Sequence, residues 1–210
     1  MKKYKTKPEE HWSGVEGDIW QERCYVSDKL LASRISMYSS ILRNAGGINS
    51  ALEIGAGAGQ SIMAVKTLLP EAEIAAVEIN AKAAEALKAK LPSCEVIVGS
   101  ILEADIEKTY NFVFTNGLLV HIVDEFLPVA YDKIYNSSNK YICLAEYYNP
   151  TPVVVNYRGN TDIMFKRDFA GEMLDRYHDL RLIDYGFVYH RDHNFSADDF
   201  NWFLLKKQER

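Results

Sequence analysis

Leu52-Glu53-Ile54-Gly55-Ala56-Gly57-Ala58-Gly59-Gln60 lies where a short apolar run gives way to a helical pattern, and its reading decides the fold. Glycine tolerates the tight backbone of such a turn and lets a ligand approach the main chain closely. The helix that follows offers free N–H groups at its start. Ala51 to Ile54 therefore reads as a buried strand, and Gln60 to Leu69 as a helix stopped by Pro70.

Outward from this turn the alternation continues. Ile74 to Ile79 is a second strand, Ala81 to Leu91 an Ala/Lys-rich helix stopped by Pro92, and Glu95 to Val98 a third strand. Asn111 to Thr115, Asp124 to Tyr135 and Tyr141 to Ala145 read as strand, helix and strand. Strands apolar on both faces and separated by helices predict a parallel sheet covered on both sides, a doubly wound α/β fold. After Pro152, Phe169 to Tyr177 reads as a helix, while Leu182 to His190 and Asn201 to Lys206 are strands joined by a polar loop. Two strands joined without a helix are antiparallel, so the mostly parallel seven-stranded sheet is expected to end in a C-terminal hairpin. Before Ser50, Lys29 to Ala45 is a helix ended by Gly46-Gly47, and Met1 to Cys24 reads as a loop-rich arm. The 210 residues suit one domain: an arm and helix over 1–48, a core over 49–146 and acceptor-side loops and strands over 147–210.

Glu78 closes the second strand, 19 residues after Gly59, where a carboxylate accepts the hydroxyls of a ribose. A nucleoside-containing cofactor is thus expected across the carboxyl ends of the strands. The dinucleotide fingerprint G-x-G-x-x-G needs glycine where this chain has Gln60. Glu53 beside the loop would repel a pyrophosphate but suits a cationic amino-acid moiety. This E-x-G-x-G-x-G pattern, the acidic end of the second strand and the final hairpin resemble the Rossmann-like class of S-adenosylmethionine (SAM)-dependent methyltransferases. That resemblance implies that Glu53 faces the methionine amino group, Gly55, Ala56, Gly57 and Gly59 line the methionine and ribose, and Glu78 with Ile79 holds the ribose. It also implies that Ser100 and Ile101 flank the adenine, with Asn116 and Trp12 completing the wall. SAM is the expected cofactor and S-adenosyl-L-homocysteine the product. Two alternatives are an NAD-dependent oxidoreductase or epimerase and a non-catalytic SAM-binding subunit.

Composition limits the partners. With 24 Lys and Arg against 29 Asp and Glu the net charge is −5, a poor balance for nucleic acid, whose affinity rests on cations against phosphates. Cys24, Cys94 and Cys143 lack C-x-x-C spacing, which argues against a disulfide framework or a zinc site. No apolar run reaches the ~18 residues of a membrane span, so a cytoplasmic monomer or homodimer acting on a small molecule is expected, with no membrane partner and no metal. Nine of the 13 tyrosines fall between Tyr131 and Tyr189, so the two halves differ.

The segments Trp12-Ser13-Gly14, Leu52 to Gly59, Val77 to Asn80, Gly117 to Ile122, Glu146 to Pro150, Tyr157-Arg158-Gly159, Phe165 to Ala170 and Asp184 to Phe187 resemble the methylases associated with pseudaminic acid biosynthesis. The resemblance runs from about Trp12 to Lys206 and implies surface-sugar biosynthesis. In the arm the chain departs from that family at Val15-Glu16-Gly17, Trp20 and Arg23-Cys24, which points to a changed acceptor.

The acceptor is expected beside the loops after strands four and five. The D/N-P-P-Y/F tetrad of DNA adenine methylases is missing from Thr115 to Ile122, which disfavours a nucleobase. His121 stands where a general base is wanted, because an alcohol must lose a proton as it is methylated. Its alternative job is to cap or pack the next helix. Glu146 ends an apolar strand, where a carboxylate is costly unless paired or used. It is expected to bind acceptor hydroxyls, assist His121, or pair with Arg158 or Lys166. Tyr147 and Tyr148 offer flat walls for a sugar. Arg158, Lys166 and Arg167, if clustered, would select an anionic acceptor such as a nucleotide sugar, unless Asp162, Asp168 and Glu172 neutralise them. The run Tyr189 to His193 fits no metal-ligand motif and reads as solvated surface. The expected reaction is methyl transfer to an oxygen, with nitrogen as the second choice, of a small polar acceptor of sugar type.

Overall fold

Consecutive residues of the central strands feed opposite cores, which is why their sequences read as unbroken apolar runs. The structure, a computed structural model, describes residues 4–23 and 27–208. From the N-terminus come α1 (Lys7–Ser13), α2 (Val15–Arg23) and α3 (Asp28–Leu42), then β1 (Ser50–Ile54), α4 (Gln60–Leu68), β2 (Glu73–Glu78), α5 (Ala81–Lys90), β3 (Cys94–Val98) and β4 (Tyr110–Asn116). Two 3₁₀ turns, Leu119–His121 and Asp124–Phe126, lead into α6 (Leu127–Ser137) and β5 (Ser138–Glu146). The small ribbon β6 (Val153–Val154) and β7 (Phe165–Lys166), α7 (Phe169–Arg176), β8 (Leu180–Val188) and β9 (Phe200–Lys207) follow.

Seven strands form one sheet in the order β3-β2-β1-β4-β5-β9-β8. Its first five strands are parallel, and β9 runs antiparallel to both β5 and β8. This is the predicted doubly wound sheet with its C-terminal antiparallel pair. Ala51, Ala76, Phe112, Phe114 and Cys143 face α3, α4 and α5 through Tyr38, Ile41, Ile62, Val65 and Leu87. Leu52, Val77, Val113 and Leu144 face α6 and α7 through Ala130, Ile134, Phe169 and Met173. Burying both faces of five parallel strands supplies the main hydrophobic stabilisation.

The chain reverses its winding between β1 and β4, and this switch point opens a crevice at the carboxyl ends of those strands. The arm differs from the loop-rich expectation, because α1 and α2 are helical. Thr6 accepts from the Glu9 N–H and the Glu9 carboxylate accepts from the Thr6 N–H, a reciprocal capping box, with Pro8 in the first turn. The departure noted at Cys24 lies outside the described residues. Among the described residues no helix is long and apolar enough to cross a membrane.

Candidate active site

Three left-handed glycines shape the turn after β1, with φ of 80° at Gly55, 54° at Gly57 and 86° at Gly59. The Gly55 N–H donates to the Val77 carbonyl at 2.8 Å, which ties the loop to the end of β2. There the Glu78 carboxylate accepts from the Gly57 N–H at 2.6 Å and from the Asn80 N–H at 2.7 Å. The glycine turn and the acid that closes β2 are therefore one hydrogen-bonded unit. At the start of α4, the Ile62 N–H donates to Glu53 at 2.8 Å, so the acid satisfies one of the free donors of that helix. Burial pushes both Glu53 and Glu78 above the usual carboxylate range, against the N–H groups that favour their ionised forms.

A cavity of about 500 Å³ runs over this unit. Of the residues read from the sequence as cofactor contacts, Trp12, Glu53, Gly55, Ala56, Gly57, Glu78, Ile79, Ser100, Ile101 and Asn116 line it. Gly59 lies outside the wall. It starts α4, and a Cβ there would overlap Leu87 of α5, so it is a packing glycine. The lining also includes Trp20, Arg34, Ser61, Tyr157, Met164 and Phe200, none of them read from the sequence as a site contact, although Trp20 stood out there as a departure and Tyr157 within a resembling segment. They come from six separate segments, and only for the arm was there a local sign, the Thr6-x-x-Glu9 box.

On the acceptor side His121 ends the 3₁₀ turn after β4 and lines the cavity. Its Nδ1 lies 2.7 Å from the Ile163 carbonyl, an acceptor only, so Nδ1 carries the proton and Nε2 keeps its lone pair. The ring is 4.5 Å from Trp12 and 6.4 Å from Tyr157 between centroids. Burial pushes its pKa down to about 4, so the imidazole is neutral at neutral pH. Tyr147 and Arg158 also line the cavity. Arg158 is held at φ 51° with its guanidinium over the Tyr157 ring.

Four of the residues read as catalytic or acceptor-binding do not face this cavity. Glu146 is 3% exposed and turns inward. It accepts from the Thr115 hydroxyl at 2.7 Å, from the Leu118 and Leu119 N–H groups at 3.1 Å, and from the Val120 N–H at 3.4 Å. Burial pushes its pKa up to about 7 against those four donors. In place of a reagent, the structure has a staple that fixes the loop carrying His121. Arg167 is buried between Asp124 and Glu172 at 2.9 and 3.2 Å, so the cation is neutralised by its neighbours. Lys166 sits over the outside of the Tyr147 ring at 5.1 Å. Tyr148 packs beside Phe203 on the other side of β5. The three cations therefore do not cluster, and of them only Arg158 reaches the cavity. His190, in the run considered for metal, pairs with Asp199, and no group of three metal-ligating side chains is found among the described residues.

The residues present fit SAM: Glu78 would accept from a ribose diol, Glu53 would accept from an ammonium, and Ser100 and Ile101 would lie beside an adenine. When bound, SAM supplies an electrophilic methyl group on its sulfonium. Residues 51–139 match the model of a family described as "Methyltransferase domain". A search of curated proteins gives no match. Among solved structures, the chain is similar to magnesium protoporphyrin IX methyltransferase from Synechocystis PCC 6803 with bound S-adenosylhomocysteine, at 11% identity and a TM-score of 0.69, over 95% of this chain and 98% of that one. It is also similar to 1,6-didemethyltoxoflavin-N1-methyltransferase from Burkholderia thailandensis, at 13% identity and a TM-score of 0.70, over 100% and 94% of the two chains. DesVI from Streptomyces venezuelae follows at 11% and 0.65, over 93% and 99%. At such identities the likeness speaks for the fold, while the matched segment carries the glycine loop, Glu78 and His121. The chain has a Rossmann-like methyltransferase fold and carries a methyltransferase domain over residues 51–139, with S-adenosyl-L-methionine as the cofactor and S-adenosyl-L-homocysteine as the product.

Proposed function

We propose that the enzyme methylates a hydroxyl oxygen of a small polar acceptor of sugar type, with His121 as the general base. The observation that carries this reading is the state of His121: its Nδ1–H is committed to Ile163, leaving a neutral imidazole with a free lone pair in the cavity wall. Transfer to a cationic sulfonium needs mainly positioning, but an alcohol acceptor must also give up a proton, and a neutral imidazole takes it. Trp12, Tyr147 and Tyr157 supply flat faces of the kind that stack on sugar rings. Arg158 is the cation that would meet a carboxylate or phosphate on the acceptor. The sugar assignment draws on the resemblance to the pseudaminic acid-associated methylases, and the single cavity-lining cation of the three expected supports one anionic group rather than several.

Methyl-labelled SAM offered with nucleotide sugars, sialic-acid-like sugars and small amines, with products read by mass spectrometry, tests the proposal. An O-methylated sugar is expected. Transfer to amines alone would overturn the oxygen assignment, and SAM binding without transfer to any of them would favour a non-catalytic role.

A further inference from the structure

We propose that the sheet face formed by Tyr148, Tyr185, Phe187, Tyr189 and Phe203 is a dimer interface, occupied by the same face of a second copy of this chain. The inference is independent of the cofactor and of the acceptor. Among the described residues β8 is the last strand at its side of the sheet. Tyr185 and Phe187 point to one side of it, and Tyr185 stands opposite Phe203 of β9 in register, with the rings stacked 6.4 Å apart. Tyr148 packs on the same Phe203 at 5.9 Å, and Tyr189 continues the row 6.0 Å from Phe187. The core beneath α7 takes in Leu180 and Leu205 at the other end of the two strands and stops short of this row. Tyr185 is 66% exposed, Phe187 57%, Tyr189 45% and Tyr148 40%.

The opposite side of β8 is built differently. Asp184 accepts from the Asn44 side-chain amide at 2.7 Å, Trp202 lies so close to Gly186 that a Cβ there would overlap it, and Val188 packs against the core that contains α3. The charge of Asp184 is thus turned away from the rings. At ~150–250 Å² per aromatic side chain, the four exposed rings leave roughly 400 Å² bare. A standard interface takes ~800 Å² from each partner, about 60% of it apolar, and Leu182 and Ile183, also exposed on β8, complete that share. A core rich in aromatics and poor in charge is the composition of a homodimer interface. Such a face meets its own image without like-charge repulsion, so a two-fold axis sets the rings of one copy against those of the other. The contact uses the face and not the edge, because the pairing of β8 slips between Leu182 and Asp184, a bulge that spoils the edge as a template for a further strand.

Sedimentation equilibrium of the full chain over a range of concentrations tests this. A homodimer is expected. Tyr185→Lys combined with Phe187→Lys should raise its dissociation constant by about 100-fold or more, as for two lost aromatic anchors, with the circular dichroism spectrum unchanged. Val129→Lys, on α6 and likewise exposed, should leave the dimer intact. A chain that stays monomeric at every concentration would overturn the proposal, as would a dimer that the double variant leaves intact. A monomer that instead sediments with vesicles of phosphatidylglycerol and phosphatidylcholine would assign the face to a membrane surface and also overturn it. Should the double variant lose its fold, hydrogen exchange of the unaltered chain decides. Protection over residues 182–189 should rise with protein concentration, and protection that stays constant would sink the interface.

Discussion

His121 shows how one hydrogen bond sets a residue's chemistry. The Ile163 carbonyl fixes the tautomer and burial keeps the ring neutral, with its pKa down at about 4. The sign of the pH effect follows. The folded value lies below the ordinary 6.5, so the stability associated with this group is complete above pH 6.5 and erodes as pH falls toward 4. Activity that needs the free base should be level above about pH 6 and decline toward pH 4, read as kcat/KM against pH. His121→Ala should lower kcat by about 10²- to 10⁴-fold while S-adenosylhomocysteine affinity stays the same. Unchanged kcat would remove the imidazole from the chemistry. The sequence pointed to His121 by its place after the fourth strand. The partner that fixes its tautomer, 42 residues later, was not legible there.

Between elements, buried polar groups do the aligning. Glu146 joins the end of β5 to the turn after β4, and Glu146→Ala would leave the Thr115 hydroxyl and three loop N–H groups without their acceptor. We expect a loss of about 3 kcal/mol or more in denaturant unfolding, with turnover falling because the His121 loop loosens. A normal unfolding midpoint with lost turnover would return Glu146 to a direct chemical role. Gly59 is the equivalent test for the glycine turn. Gly59→Ala puts a Cβ at φ 86° and against Leu87, for a cost of about 2–4 kcal/mol, measurable by the same unfolding curve. Element positions were largely legible because apolar periodicity and the prolines Pro70 and Pro92 mark the strands and helix ends. The helices of the arm were missed although the Thr6-x-x-Glu9 capping box is written in the chain. The β6–β7 ribbon, two residues a side, is too short to leave a pattern.

At the scale of the whole molecule, the arm is part of the cavity wall, through Pro8, Glu9, Trp12 and Trp20. The Asn80 side-chain amide donates to the Trp12 carbonyl at 3.1 Å and to Asp18 at 2.9 Å, while its oxygen caps α5 at the Ala83 N–H. Asn80→Ser keeps an N-cap and removes both links to the arm. Hydrogen exchange across residues 7–23 should quicken and S-adenosylhomocysteine binding weaken, with little change in the unfolding midpoint. Unchanged exchange there would mean that the packing of Trp12 against His121 and Trp20 holds the arm by itself.

The sequence by itself determined the class of fold, the glycine turn and the acid that closes the second strand. These are local matters, set by backbone freedom at Gly55 and Gly57 and by which stretches bury apolar surface. Only the tertiary structure decided which charges face the cavity. Arg167 and Glu146 have the residue types of a site yet are consumed by neighbours, whereas Arg34, unremarkable on its helix, arrives there with donors to spare. The difference is desolvation. A charge in the chain has no fixed cost until folding settles whether its partner is another side chain or a ligand.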